Sequence, residues 1–180
     1  MNDDSSASQE ALGIDGPGYR VESPMACADQ IKRLRSRLLR LLSRREYSQH
    51  ELRNRLLAPS RKDGSRANPV AVEEAILWAA DCDLQSDERF VEALIRRSSP
   101  RHGLSKIRAQ LKVHKIDPEL INTSLTGLHE SEFNRAQALW EGRFGVKPAS
   151  EREKARQFRF LLSRGFRNET VLQVLRGVQR

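Results

Sequence analysis

Apolar residues recur along the chain at intervals of five and then four positions. The sets are Tyr47, Leu52 and Leu56; Ile116, Ile121 and Leu125; Phe166, Val171 and Leu175; with a weaker copy at His102, Ile107 and Leu111. A recurring spacing near the helical period points to one small helical unit used several times. Upstream, Ile31, Leu34, Leu38, Leu41 and Leu42 fall on one face of a first helix. Start and stop signals bracket these patterns. Ser48-Gln49-His50-Glu51 reads as a capping box, and Ala58-Pro59 ends the helix that it opens. Asn68-Pro69 and Asp117-Pro118 each place a capping side chain before a proline suited to the first helical position. Further helices are predicted near 87–97, 104–115, 118–126, 131–142, 151–163 and 168–178, and nothing reads as a strand.

From residue 26 the helices divide into three units of three, at roughly 26–82, 84–127 and 131–178. The phase has two solutions. The Phe166 set aligns with the Ile116 set as a third helix, or with the Tyr47 set as a second. The first alignment is preferred because it leaves three complete units. Each unit is too small to bury much surface alone, so neighbours are expected to pack on one another.

Composition narrows the class. No run approaches the roughly 18 apolar residues of a membrane span, and the N-terminus has no apolar signal region. A cytoplasmic protein is expected, with Cys27 and Cys82 as reduced thiols. The net charge of +8 conceals a division: residues 1–30 carry −5 and the remaining 150 carry +13. Residues 1–25 read as a disordered acidic tail, and the body reads as a binder of polyanions or acidic protein surfaces.

The positive charge is patterned. Arg33, Arg37, Arg40 and Arg44 make a stripe set away from the apolar face of the first helix. Arg108, Lys112 and Lys115 repeat the spacing in the second unit, and Arg152, Arg156 and Arg159 in the third. Such ridges suit phosphates or carboxylates equally. Phe90, Phe133, Trp140, Phe158 and Phe166 sit in apolar helical patterns, which leaves few aromatics for stacking on bases. The acidic block from Glu73 to Glu92 has no glycine-rich loop, paired histidine or nucleophile elbow beside it, and the four histidines show no ligand spacing. No catalytic, cofactor or metal site is expected.

Several segments in order resemble the RecX family, regulators of the bacterial RecA recombinase. They are Arg45-Glu46-Tyr47-Ser48-x-x-Glu51-Leu52-Arg53-x-x-Leu56, Leu84-x-x-Asp87-x-Arg89-Phe90, and Lys106-Ile107-Arg108-x-x-Leu111. Ile116-Asp117-x-Glu119-Leu120-Ile121, Arg143-Phe144-Gly145 and Phe160-Leu161-Leu162-x-Arg164-Gly165-Phe166 continue the likeness to about residue 178. The chain departs from that pattern at the acidic tail, the loop 59–69, His102 in place of an aromatic, and Cys82-Asp83 in place of glycine plus an apolar residue. The resemblance implies an all-α fold of three tandem three-helix repeats forming an elongated, curved solenoid. It also implies a non-enzymatic monomer that lodges in the groove of the RecA–single-stranded-DNA filament. There it would restrain ATP hydrolysis, strand exchange and coprotease action in the SOS response. The three stripes and Arg53 are the candidate contact residues. A basic helical protein acting on DNA alone is the alternative.

Overall fold

The computed structural model describes residues 24–60 and 64–177. The fold is all-α. The described residues form α1 (Pro24–Leu42), α2 (Gln49–Leu57), α3 (Pro69–Asp81), α4 (Asp87–Ser98), α5 (Leu104–Val113), α6 (Pro118–Leu125), α7 (Glu132–Arg143), α8 (Glu151–Ser163) and α9 (Asn168–Arg176), with a short 3-10 turn at Thr126–Leu128. The acidic tail lies outside the described residues, except that Pro24 and Met25 already belong to α1.

The five-then-four spacing has a local cause. Tyr47, Ile116 and Phe166 each stand one residue before a helix N-cap, and their partners stand at the fourth and eighth helical positions. That is a hydrophobic staple extended by one turn, and it sets the angle at which the chain enters the helix. All nine residues of these three sets are buried. Gln85, Phe90 and Leu94 hold the same places around α4, but with a buried glutamine at the staple position. Its side chain donates to Tyr47 O (3.2 Å) and Asp87 Oδ1 (2.8 Å), so a polar staple links α4 to the start of α2.

Two staples also close the preceding helix. Lys115 N donates to Lys112 O (3.0 Å) and Ile116 N to Leu111 O (3.4 Å), with Lys115 at φ 53°. Gly165 and Phe166 do the same at the end of α8, with Gly165 at φ 85°. These are Schellman motifs, whose left-handed residue stops the helix and returns an apolar side chain to it. Hence α5 ends at Val113 rather than the predicted 115.

The buried apolar residues fall into three clusters. Leu34 to Ala79 join α1, α2 and α3; Phe90 to Leu125 join α4, α5 and α6; Ala136 to Leu175 join α7, α8 and α9. Helix packing follows the same grouping, with α3 against α1 and α2, and α9 against α7 and α8. The Phe166 helix is therefore the last of its group.

Polar contacts knit one group to the next. Asp87 Oδ1 accepts from Gln49 N (2.9 Å), and Arg89 Nε donates to Glu46 Oε1 (3.2 Å). Between the second and third groups the contact is closer. Gly103 N donates to Arg164 O (2.9 Å), and Ser105 N to Gly165 O (3.2 Å). The buried Glu132 carboxylate accepts from Leu104 N (3.3 Å), Arg167 Nε (2.7 Å) and Thr170 Oγ1 (3.1 Å). Burying a charge is tolerated because both its oxygens are bonded. Arg135 reaches back to Ser99 O (3.0 Å) and His102 O (2.9 Å).

Gly142 in α7 is not held to glycine by packing, because a Cβ there would meet nothing within 4 Å. Gly142→Ala is expected to stabilise the protein by about 0.5 kcal/mol, read as a rise in the urea midpoint at unchanged slope. A lower midpoint would show that α7 needs freedom at that position.

Candidate partner-binding surface

The basic residues singled out in the sequence divide into those with intramolecular partners and those without. On α1, Arg33 and Arg40 are exposed, and neither side chain bonds to a described residue. Arg44 lies in the turn after the helix; its N–H still donates to Leu41 O (3.0 Å), so it continues the stripe. Arg37 differs, being half-buried and donating to Arg55 O (2.8 Å) at the end of α2. On α5, Arg108 donates to Asn122 Oδ1 (2.6 Å), whereas the Lys112 side chain is exposed without a partner among the described residues. Lys115 is off that helix face, because the helix stops two residues earlier. On α8, Arg152 and Arg159 are exposed, and the Arg156 guanidinium lies 5.8 Å from the Phe144 ring centre.

Arg53 is committed internally. Its guanidinium grips both oxygens of Glu73 on α3, one at 2.7 Å, which removes it from the set of available cations. The rest of its motif is equally occupied. The Arg45 and Arg55 guanidiniums cover the Tyr47 ring, at 3.7 and 5.1 Å from its centre. Both also bond the Glu51 carboxylate. Ser48 Oγ accepts from Glu51 N (3.1 Å), but the Glu51 side chain turns to these arginines, so only one arm of the capping box forms. The next amide, Gln49 N, is capped from α4 by Asp87, as described above. This stretch of sequence is therefore a packing and ion-pair motif: Arg45, Glu51, Arg53 and Arg55 pair within the first group of helices, and Glu46 pairs with Arg89 of the second.

These pairs carry a pH dependence. Burial works to raise the Glu51 pKa, but hydrogen bonds and charge from Arg45 and Arg55 outweigh it and leave the group below its usual 4.5. A hydrogen bond from Arg53 lowers Glu73 likewise. A carboxylate depressed in the folded state contributes stability above the unfolded value and loses it as pH falls through the folded one. Urea midpoints are expected to hold near neutrality and drop below about pH 4.5. The double variant Glu51→Gln, Glu73→Gln should start lower and lose less over that range. Parallel curves for the two proteins would dissociate these pairs from acid sensitivity.

No bond links one basic set to another among the described residues; each rides on its own group of helices. Sequence reasoning missed a further cluster. Arg101, Lys106 and Arg164 surround His102, whose pKa is lowered first by burial and then by those charges. Arg143 and Arg164 flank a trough between α7 and α8. Four cations gathered from separate helices give no periodic signal, which is why spacing did not reveal them. Among the described residues, no group of three or more His, Cys, Asp or Glu is placed to hold a metal, and no helix is long and apolar enough to cross a membrane.

Comparison with known proteins bears on the family and the fold. A family model described as the RecX third three-helix domain matches residues 130–175, the α7–α9 group. Regulatory protein RecX of Ralstonia nicotianae is 38% identical over 154 residues, spanning 85% of this chain and 92% of that protein. Regulatory protein RecX of Leptothrix cholodnii is 38% identical over 143 residues, spanning 79% and 87%. A crystal structure of a regulatory protein RecX superposes with a TM-score of 0.68 at 22% identity, covering 85% of this chain and 75% of that one. RecX from Lactobacillus salivarius gives 0.66 at 18% identity, covering 83% and 96%, and supports the same fold. With relatives this similar over most of its length, the chain belongs to the RecX family of regulatory proteins.

Proposed function

We propose that this protein is a cytoplasmic, monomeric regulator that lies along the RecA–single-stranded-DNA filament and restrains its ATPase, strand-exchange and coprotease activities. The three helical groups act as repeats, dividing the chain near 26–82, 84–127 and 131–178, and each presents cations to the filament. One observation carries this reading beyond the family resemblance. Arg33, Arg40, Arg44, Lys112, Arg152 and Arg159 are exposed and have no side-chain partner among the described residues. Holding unpaired like charges on successive units does nothing for the fold, and an extended acidic partner would supply the missing counter-charge. Several weak contacts carried on one chain add through effective concentration, so binding should be tight in sum and sensitive to salt.

The test is whether the purified protein, at amounts well below RecA, suppresses DNA-dependent ATP hydrolysis by RecA. Suppression that requires stoichiometric coverage of bare DNA would favour action on DNA alone. Anisotropy with labelled single strands, bare and RecA-coated, at matched salt separates the two. Equal affinity for both removes the filament from the account.

A further inference from the structure

The trough between α7 and α8 lies outside the three stripes and has its own chemistry. It is an open depression of about 670 Å³ where these helices meet the α4–α5 connection. Pro100, Ala138, Leu139 and Phe160 make its apolar lining, Gly142 leaves it open along α7, and Arg143 and Arg164 stand at its sides. None of these lining side chains is acidic, and neither arginine has an ion pair among the described residues. Arg101 follows Pro100 directly, and Lys106 lies against Gly165 beside Arg164, so both add positive charge close by.

The aromatic groups decide what such a trough can hold. The Arg164 guanidinium lies 5.2 Å from the Phe160 ring centre. Phe144 meets Phe160 edge to face at 5.3 Å, and carries Arg156 over its own ring. A guanidinium over a ring occupies the place that a stacked base would take, so the rings form a poor platform for single strands. The stacked guanidinium keeps its N–H edge free, and that edge matches a carboxylate as a two-pronged fork. Beside it, Leu139, Ala138 and Pro100 offer an apolar floor, which a bare phosphate backbone would leave uncovered.

We propose that this trough is a docking site for an acidic protein segment, whose carboxylates meet Arg143 and Arg164 while an adjacent apolar side chain lies on the floor. The site is independent of the stripes, so it deepens the account of this protein as a regulator without resting on filament inhibition. Gly142 provides a clean handle. Gly142 lines the trough, and a Cβ added there would meet nothing within 4 Å.

The experiment follows binding of a short fluorescent peptide alternating glutamate and leucine, with a lysine–leucine peptide and oligothymidylate as the other arms. The full-length protein should bind the glutamate–leucine peptide and release it with salt. Gly142→Glu and the double variant Arg143→Glu, Arg164→Glu should each weaken it at least about tenfold. Gly142→Lys should keep or tighten it. Melting curves establish that all three variants fold. Equal weakening by Gly142→Glu and Gly142→Lys would reduce the effect to bulk and overturn the charge-based site. Binding of oligothymidylate rather than peptide, lost in the same variants, would assign the trough to nucleic acid and overturn it as well. A protein that binds the peptide but leaves the RecA ATPase untouched keeps this site and loses the filament reading; suppression without peptide binding does the reverse.

Discussion

Gly103→Ala is expected to destabilise the protein by about 3 kcal/mol or more, lowering its melting temperature by roughly 10 °C. Gly103 has an ordinary φ of −78°, so backbone freedom is not the reason for glycine. Space is. A Cβ at Gly103 would fall inside contact distance of the carbonyl of Gly165 and the amide of Phe166, which are main-chain atoms and cannot swing aside. Gly165 is in turn pressed against Lys106, where an added Cβ would lie 2.6 Å from the Lys106 Cβ and amide nitrogen. Relief requires the second and third helical groups to separate. That breaks the bonds from Gly103 N to Arg164 O and from Ser105 N to Gly165 O, and strands the buried Glu132 carboxylate. Lost hydrogen bonds at buried groups add to the overpacking cost. Gly127→Ala is the control, since its Cβ would meet nothing within 4 Å. Calorimetry should show the Gly103 variant melting earlier, with the α7–α9 group leaving first if the array loses cooperativity. A melting temperature within a degree of the Gly127 control would mean that the joint is loose and the close approach is not needed.

That joint also marks where reading the chain alone stops. Helix starts were legible because they are local: Ser48, Asn68 and Asp117 cap the helices that follow them, as their side chains and the neighbouring prolines indicate. The apolar sets were legible for the same reason, since a staple and its next turn involve residues only nine apart. Helix ends were less so. Lys115 takes a left-handed conformation usually left to glycine or asparagine, and nothing in its identity announces that. The contacts between groups were invisible. Glu132 stands at the start of a helix, where an acidic residue is ordinary on dipole grounds; only the packed structure shows it buried beneath Leu104 and Thr170. The basic residues show both sides of this. Arg33, Arg40, Arg152 and Arg159 are exposed as their helical spacing required. Arg53 looked similar, but Glu73, twenty residues away, claims it. Ion pairs across helices depend on packing, which periodicity does not encode.

Charge reversal on α1 is the sharpest functional expectation. Arg33→Glu, Arg40→Glu and Arg44→Glu together should raise the concentration needed for half-suppression of the RecA ATPase by at least about a hundredfold. Each reversal removes one attraction and adds one repulsion, so even about 1 kcal/mol at each position multiplies to that factor. Arg37 is left in place because its bond to Arg55 O helps to seat α1 on α2. The three chosen side chains have no partner among the described residues, so helical circular dichroism and the urea midpoint should stay close to wild type. Net charge alone could weaken attraction to any polyanion, and the pair Arg96→Glu, Arg97→Glu tests for that. Both are exposed at the end of α4, also without a side-chain partner there. If position matters, the α4 variant should lose far less than the α1 variant after allowing for one fewer reversal, and the gap should narrow as salt rises. The corresponding α1 lysine variant should retain most suppression if point charge suffices, and lose a clear fraction if guanidinium forks grip carboxylates. Equal losses from the α1 and α4 variants would sink the stripe as an interface and leave only a diffuse attraction between a basic protein and an acidic filament.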